Sequence, residues 1–474
     1  MLHWLCSARL ISTEGGLLEK YYVESEKDAT SLVDSVRRSA ASGVSTSAGA
    51  LEAEVASIID AVRQKGDIAL YEFTKHFDGV DLSDRGFEVS PAALEAALQE
   101  IPHSAVTALA RAVDQVRAYF KEQYAAVASE FHFQRGGIDV RFVVRPVESA
   151  GIYVPGGRYR YPSSVIMTVV PAVVAGVRSV TLCTPPTPRG GLDPLVGAAA
   201  RLAGAHRVFT LGGVQAIAAM AYGTETIPQV DVVVGPGNAY VACAKRMVFG
   251  QVGIEAVAGP SELVVVADDY APWDLVATDL AAQAEHGPGG LAIAVVFSEK
   301  AAEALNKAVT EEVAKDSRDQ LRKTMQAGGA IAVCRDEECA LWVVLAAAPE
   351  HVQVMMREPA RCERFADRIN CAGVVFLGSS TPAPYGDYIA GPSHVLPTGG
   401  SAKFASGLGV YSFLRYQNYV VNSGISEELE QAAFELASVE GMVAHARSIQ
   451  RRRSRGEVPF QAPGGAAAAI EDPS

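Results

Sequence analysis

The 474-residue sequence contains no Gly-x-Gly-x-x-Gly fingerprint and no Walker loop. The two commonest linear signs of a nucleotide site are therefore missing. It also lacks a surplus of basic charge, with 41 Lys and Arg against 54 Asp and Glu, a net charge of −13. A nucleic-acid partner is not expected, because binding a phosphate backbone needs a broad basic surface. The longest apolar run, residues 165–177, is interrupted by Thr168 and Pro171 and is too short to cross a bilayer. Cysteine is sparse, seven in all, which is an odd number and does not read as a disulfide framework. Cys334 and Cys339 stand too far apart for a Cys-x2-Cys metal knuckle. Residues 1–6 lack the basic region and apolar core of a signal peptide. A soluble, cytoplasmic protein without membrane or nucleic-acid partners is expected, with about two to four domains.

What is present is an α/β texture. Hydrophobic residues make up 49% of the chain, and 43 Gly with 24 Pro suit many tight strand–helix turns. Residues 1–45 read as an N-terminal arm. Leu51, Val55, Ile58, Ile59 and Val62 recur at helical spacing, and Ser90-Pro91 is an N-cap followed by an N1 proline. A second helical stretch runs through Leu109, Val113, Val116 and Phe120.

From about residue 140, short β-branched runs alternate with helical segments. Residues 180–183, 207–211, 230–234, 263–267, 291–296, 330–333 and 373–376 read as buried strands. Helices between them imply parallel sheets with right-handed crossovers. The blocks 150–262 and 263–400 repeat this pattern, as an internal duplication would. After residue 400 the chain turns helical again, with Leu429, Ala433, Leu436 and Val439 in step. The basic run 451–455 and the Ala/Gly/Pro-rich end read as a solvated tail.

Polar residues that could carry chemistry fall in five clusters: Gln283-Ala-Glu-His286, Glu350-His351, Gly386-Asp387, His394 and Glu440 to His445. Each follows an apolar run, where a parallel sheet places its site loops. Gln283 and His286, three apart, share a helix face. Two imidazoles, a carboxylate and an acid–imidazole pair could supply a divalent ion and a general base. Glycine turns at residues 151–157, 211–215 and 235–238 are places where helix N–H groups could meet a phosphate, or plain strand–helix geometry.

In this order the segments Tyr153-Val-Pro-Gly-Gly157, Gly212-Gly-Val-Gln-Ala-Ile-Ala218, Gly235-Pro-Gly-Asn-Ala-Tyr240, Ala258-Gly-Pro-Ser-Glu262 and Gln283-Ala-Glu-His-Gly-Pro288 resemble the histidinol dehydrogenase family. Pro349-Glu-His351 and His394-Val-Leu-Pro-Thr398 complete the series, and the likeness runs from about residue 50 to 450. The resemblance implies oxidation of L-histidinol through an aldehyde to L-histidine, the last steps of histidine biosynthesis, with NAD and one zinc per subunit. It further implies two incomplete Rossmann-like parallel-sheet domains, with an N-terminal arm and a C-terminal helical extension. A homodimer whose sites take residues from both chains is also implied. The first domain would combine 46–150 with 263–405, and the second, NAD-contacting domain would be 151–262. A C-terminal helical segment, 406–450, and a flexible tail, 451–474, would follow.

Carried over by position, the zinc ligands would be Gln283, His286, Asp387 and His445, and the NAD contacts Tyr153, Gln215 and Asn238. Ser261, His351 and Glu440 would touch substrate beside those ligands, and Glu350 with His351 would be the acid/base pair. His394 is expected to make a loop-stabilising hydrogen bond. The sequence departs from the family pattern at Ser393, where Asn is usual, and at Glu255, where Asp is common. Arg158 and Arg160 could meet an anion or simply face solvent. Rival expectations are a related NAD- and zinc-dependent dehydrogenase of another small alcohol such as sulfopropanediol, a binding protein without turnover, and a thiol mechanism through Cys243.

Overall fold

Runs of Val, Ile, Leu and Ala become the inner strands of two largely parallel sheets in the computed structural model, which describes residues 9–11, 16–42, 48–157, 159–317 and 319–455. The first sheet has seven strands, in spatial order Arg9–Ile11, Glu19–Val23, Gly329–Cys334, Leu291–Val296, Glu262–Ala267, His351–Met355 and Val374–Leu377. All but the Arg9–Ile11 pairing are parallel. Every residue of Glu262–Ala267 is buried, because helices cover both faces. Val264 and Val266 enter one core with Val36 and Val344, while Leu263 and Val265 enter another with Leu280 and Val309. This two-sided burial is why the strand reads as a continuous apolar run rather than an alternation.

The second sheet has six strands, in order Gly253–Ile254, Val232–Val234, Ser149–Tyr153, Ser179–Thr184, Arg207–Thr210 and the antiparallel Glu88–Val89. Apart from the strands Arg9–Ile11, Glu19–Val23 and Glu88–Val89, which come earlier in the chain, each sheet starts at a central strand, builds outward on one side, and returns to build on the other. The reversal lies between Glu262–Ala267 and His351–Met355 in the first sheet, and between Ser149–Tyr153 and Val232–Val234 in the second. The expected α/β class and parallel sheets are present.

The distribution of segments differs from the expected one. The helix Ala48–Lys65 packs Val55, Ile58, Ile59 and Val62 against Phe209 and Ile217 of the second sheet's core, and Glu88–Val89 pairs with Arg207–Thr210. Residues from 48 to about 100 thus cover the second sheet, not the first. The stretch expected as an arm supplies a strand, Glu19–Val23, and a helix, Glu26–Ala41, to the first. Helical periodicity reveals a buried stripe but not the sheet that buries it. Gly151–Tyr153, read as the start of a turn, is the end of a strand. The basic run 451–455 closes the helix Val443–Arg455, where Arg453 pairs with Glu427 and Glu430. Residues 456–474 lie outside the described residues.

Two units divide the chain. The sheets above belong to one, made of the described residues up to Tyr124 and of Val147–Phe413. The other takes Ala125–Pro146 and the described residues from Leu414 on. It holds an antiparallel sheet of Phe131–Arg135, Ile138–Pro146 and Leu414–Asn422, followed by the helices Glu427–Val439 and Val443–Arg455. Gly136 and Gly137, at φ 57° and 78°, make its tight hairpin turn. Among the described residues, no helix is long and apolar enough to cross a membrane.

Candidate active site

Glu350 and His351 stand at the amino end of the strand His351–Met355, beside Ser261 at the amino end of Glu262–Ala267. The pairing of Leu263 with His351 holds these two strands in register. Gln283 lies in the last turn of the helix Trp273–Glu285 and His286 caps it. The cluster therefore occupies the amino edge of the first sheet, at its reversal point. The apolar runs that precede these residues are helices, Trp273–Glu285 and Glu337–Ala347, which return the chain to the amino edge. Periodicity in short apolar runs does not separate helix from strand.

Ser261 Oγ donates a short hydrogen bond to Glu350 Oε2. The Glu262 N–H donates to the same oxygen at 3.2 Å, and Gln283 Oε1 lies 3.4 Å from Ser261 Oγ. Burial pushes the Glu350 carboxyl up to about 7, against the pull of Ser261, the Glu262 N–H and His286. His351 Nδ1 is 3.7 Å from Glu350 Oε2 and has no hydrogen-bond partner. Burial lowers the His351 pKa, opposed chiefly by the charge of Asp387, so the neutral imidazole dominates at pH 7. The Gln283 amide nitrogen is likewise buried and unpartnered. Buried polar atoms left unpaired are uncommon, so two beside one carboxylate mark a place shaped for something else.

Asp387 sits in the short helix Pro384–Tyr388, and its charge acts on Glu350, His351 and His394. His286 acts on Glu350 and His394. Gln283, His286 and Asp387 thus surround the Glu350–His351 pair. Among the described residues, no three His, Cys, Asp or Glu side chains close around a metal position. Glu440 and His445 belong to the other unit, at the end of Glu427–Val439 and in Val443–Arg455. His394 makes the expected loop-fixing bonds, Nδ1 to the Asp387 carbonyl and Nε2 to Ser164 Oγ, each at 3.0 Å.

Tyr153 and Asn238 flank the reversal point of the second sheet, at its carboxyl edge, where open α/β sheets leave a crevice. The Tyr153 hydroxyl accepts the Gly213 N–H at 3.1 Å, bringing the turn before Gly213–Tyr222 against it. Gln215, in that helix, is buried with Oε1 unpartnered. Asn238 caps Ala239–Val248 by accepting the Val241 N–H at 3.1 Å. Arg160 pairs with Asp193 at 3.1 Å, and Arg158 lies outside the described residues.

Cys243 is buried in the core of the second sheet, its sulfur against Met247, and gives no support to a thiol mechanism. Three supporting residues were given no role by the sequence. Arg37, from the presumed arm, donates to Glu262 Oε1 at 3.0 Å and to the Ala347 carbonyl at 2.6 Å. Glu262 in turn accepts the Gly399 N–H at 3.1 Å, and Ser164 anchors His394. The one available hint was Glu262 beside Ser261, a charge inside a buried strand.

The family model for histidinol dehydrogenase matches residues 42–453. The histidinol dehydrogenase of Pseudomonas putida is 44% identical over 415 residues, 86% of this chain and 92% of that protein. That of Methanosarcina mazei is 42% identical over 400 residues, 84% and 91% of the two chains. The crystal structure of histidinol dehydrogenase from Elizabethkingia anophelis superposes with a TM-score of 0.83 at 29% identity, covering 94% of this chain and all of that one. With the acid–imidazole pair and both reversal points in place, the chain belongs to the histidinol dehydrogenase family of oxidoreductases.

Proposed function

We propose that the protein oxidises L-histidinol to L-histidine through the aldehyde, with NAD and zinc, in histidine biosynthesis. The buried Glu350–His351 pair, with its unpartnered imidazole nitrogen beside Ser261, carries this reading. Neutral at pH 7, His351 takes the alcohol proton as hydride leaves the carbinol carbon. Glu350, poised near neutrality, then takes a proton from the water that adds to the aldehyde carbonyl. Ser261 and the Glu262 N–H hold the carboxylate in place for that step.

The donor set suits a borderline-soft divalent ion: the carboxamide of Gln283, the imidazoles of His286 and His445, and the carboxylate of Asp387. Turned over about its last torsion, the Gln283 amide would offer its oxygen where its nitrogen now lacks a partner. When bound, zinc would fix the imidazole and amine of the substrate while NAD accepts hydride. Tyr153, Gln215 and Asn238 would hold the dinucleotide. In a homodimer, a second copy would supply Glu440 and His445, so that substrate is gripped from both chains. Zinc-loaded protein given L-histidinol should release two NADH per substrate and yield L-histidine. No turnover by folded, metal-bearing protein would turn the assignment to another small alcohol such as sulfopropanediol.

A further inference from the structure

The turn Gly235-Pro-Gly-Asn238 is held from below by a buried ion pair that no step of the chemistry uses. Lys245 and Glu255 have side chains only 1% and 3% exposed, with Nζ 2.6 Å from Oε1. Both also grip Gly235. Its N–H donates to Glu255 Oε1 at 2.8 Å, and its carbonyl accepts from Lys245 Nζ at 3.0 Å. One peptide residue is thus clamped at both polar groups by opposite charges.

Gly235 needs such a clamp. Its φ of 125° is one that L side chains rarely adopt, and a Cβ there would collide with the Tyr153 carbonyl oxygen. The turn therefore presses backbone to backbone against the strand that ends in Tyr153. Three residues on, Asn238 starts the helix Ala239–Val248, and Lys245 lies two turns along that same helix. The ion pair joins the helix, the turn and the strand end Gly253–Ile254 into one rigid corner at the reversal point. Glu255 Oε2 remains buried without a partner, so the carboxylate is oriented for Gly235 and Lys245 rather than for its own full satisfaction.

On the reading that NAD binds at this sheet end, we propose that Lys245 and Glu255 are positioning residues for the dinucleotide. They touch no reacting atom. They set the spacing between Tyr153 and Asn238, and hence the width of the crevice that receives the cofactor. A rigid corner lowers the ordering cost of binding, so the pair acts on NAD affinity and leaves the first sheet's chemistry alone.

The test compares full-length enzyme with Lys245→Met, Glu255→Met and the double variant. Either single change leaves one charge buried alone and threatens the fold, whereas the double change removes both charges at similar volume. NAD affinity is measured by calorimetry without substrate, and KM for NAD and for L-histidinol are measured separately. The double variant should weaken NAD binding tenfold or more and raise KM for NAD to match, with KM for L-histidinol within twofold of wild type. Unchanged NAD affinity, or equal rises in both KM values, would overturn the role. Wild-type protein that binds no NAD removes the cofactor reading and the pair's role together. Wild-type protein that binds NAD no better than the double variant removes only the latter.

Discussion

At Glu350 a carboxyl pushed up to about 7 by burial ties chemistry to stability. Glu350→Gln should slow aldehyde oxidation by roughly 100-fold or more while sparing the first hydride transfer, since general base catalysis is worth that much. The NADH count per histidinol would then fall from two toward one, and a count that stays at two at the wild-type rate would remove the water-activating role. The folded-state pKa lies above the ordinary 4.5, so the native state holds this proton more tightly than the unfolded chain. Its stabilising contribution is complete below pH 4.5 and is lost as pH rises through about 7. Over the full interval the change is roughly 3 kcal/mol. Metal-free wild type should therefore lose stability relative to Glu350→Gln between pH 5 and 8 in denaturant titrations. A difference that is flat with pH would contradict it. Cys243 offers the opposite case, a nucleophile by type but not by place. Its sulfur lies in the second sheet's core, and Cys243→Ala should turn over at the wild-type rate.

Elements here begin and end for local reasons. Ser90 accepts the Ala93 N–H at 3.2 Å and Pro91 follows, so Pro91–Glu100 starts where its sequence says. Asp193 with Pro194 and Ser298 with Glu299 open two more helices in the same manner. Turns obey backbone demands, most sharply at Gly235. Gly235→Ala would be strained by its φ and by the Tyr153 carbonyl, at a cost of about 1–3 kcal/mol from the backbone alone. It should lower the midpoint of thermal unfolding and raise KM for NAD more than KM for L-histidinol. A variant matching wild type in both would show that the turn relaxes freely.

At the scale of the two-sheet unit, the site depends on chain segments far apart in sequence. Arg37 reaches from the N-terminal helix to Glu262 and the Ala347 carbonyl, and Glu262 adjoins the Ser261–Glu350 hydrogen bond. Burial raises the Glu262 pKa, and Arg37 is the main opposing influence. Arg37→Ala would leave that buried carboxylate poorly compensated and should cost about 1–3 kcal/mol. The loss should appear as a lower denaturant midpoint at unchanged slope. An unaltered midpoint would mean that water replaces the guanidinium without penalty.

Caps, β-branched runs and an ordered series of short motifs were legible in the linear chain, because each depends on neighbours within a few residues. They sufficed for the α/β class, the inner strands and the family. They also picked out Gln283, His286, Glu350, His351 and Asp387, which the fold gathers at one sheet edge. The edge was not legible, since it depends on the helices before Gln283 and Glu350 returning the chain to the amino end of the sheet. The sheet that buries the Ala48–Lys65 helix, the reach of Arg37 and the anchoring of His394 by Ser164 were beyond a linear reading. Hydrophobic period determines that a face is buried. Only the packing of distant segments, chosen by shape and by the pairing of buried polar groups, decides what it is buried against.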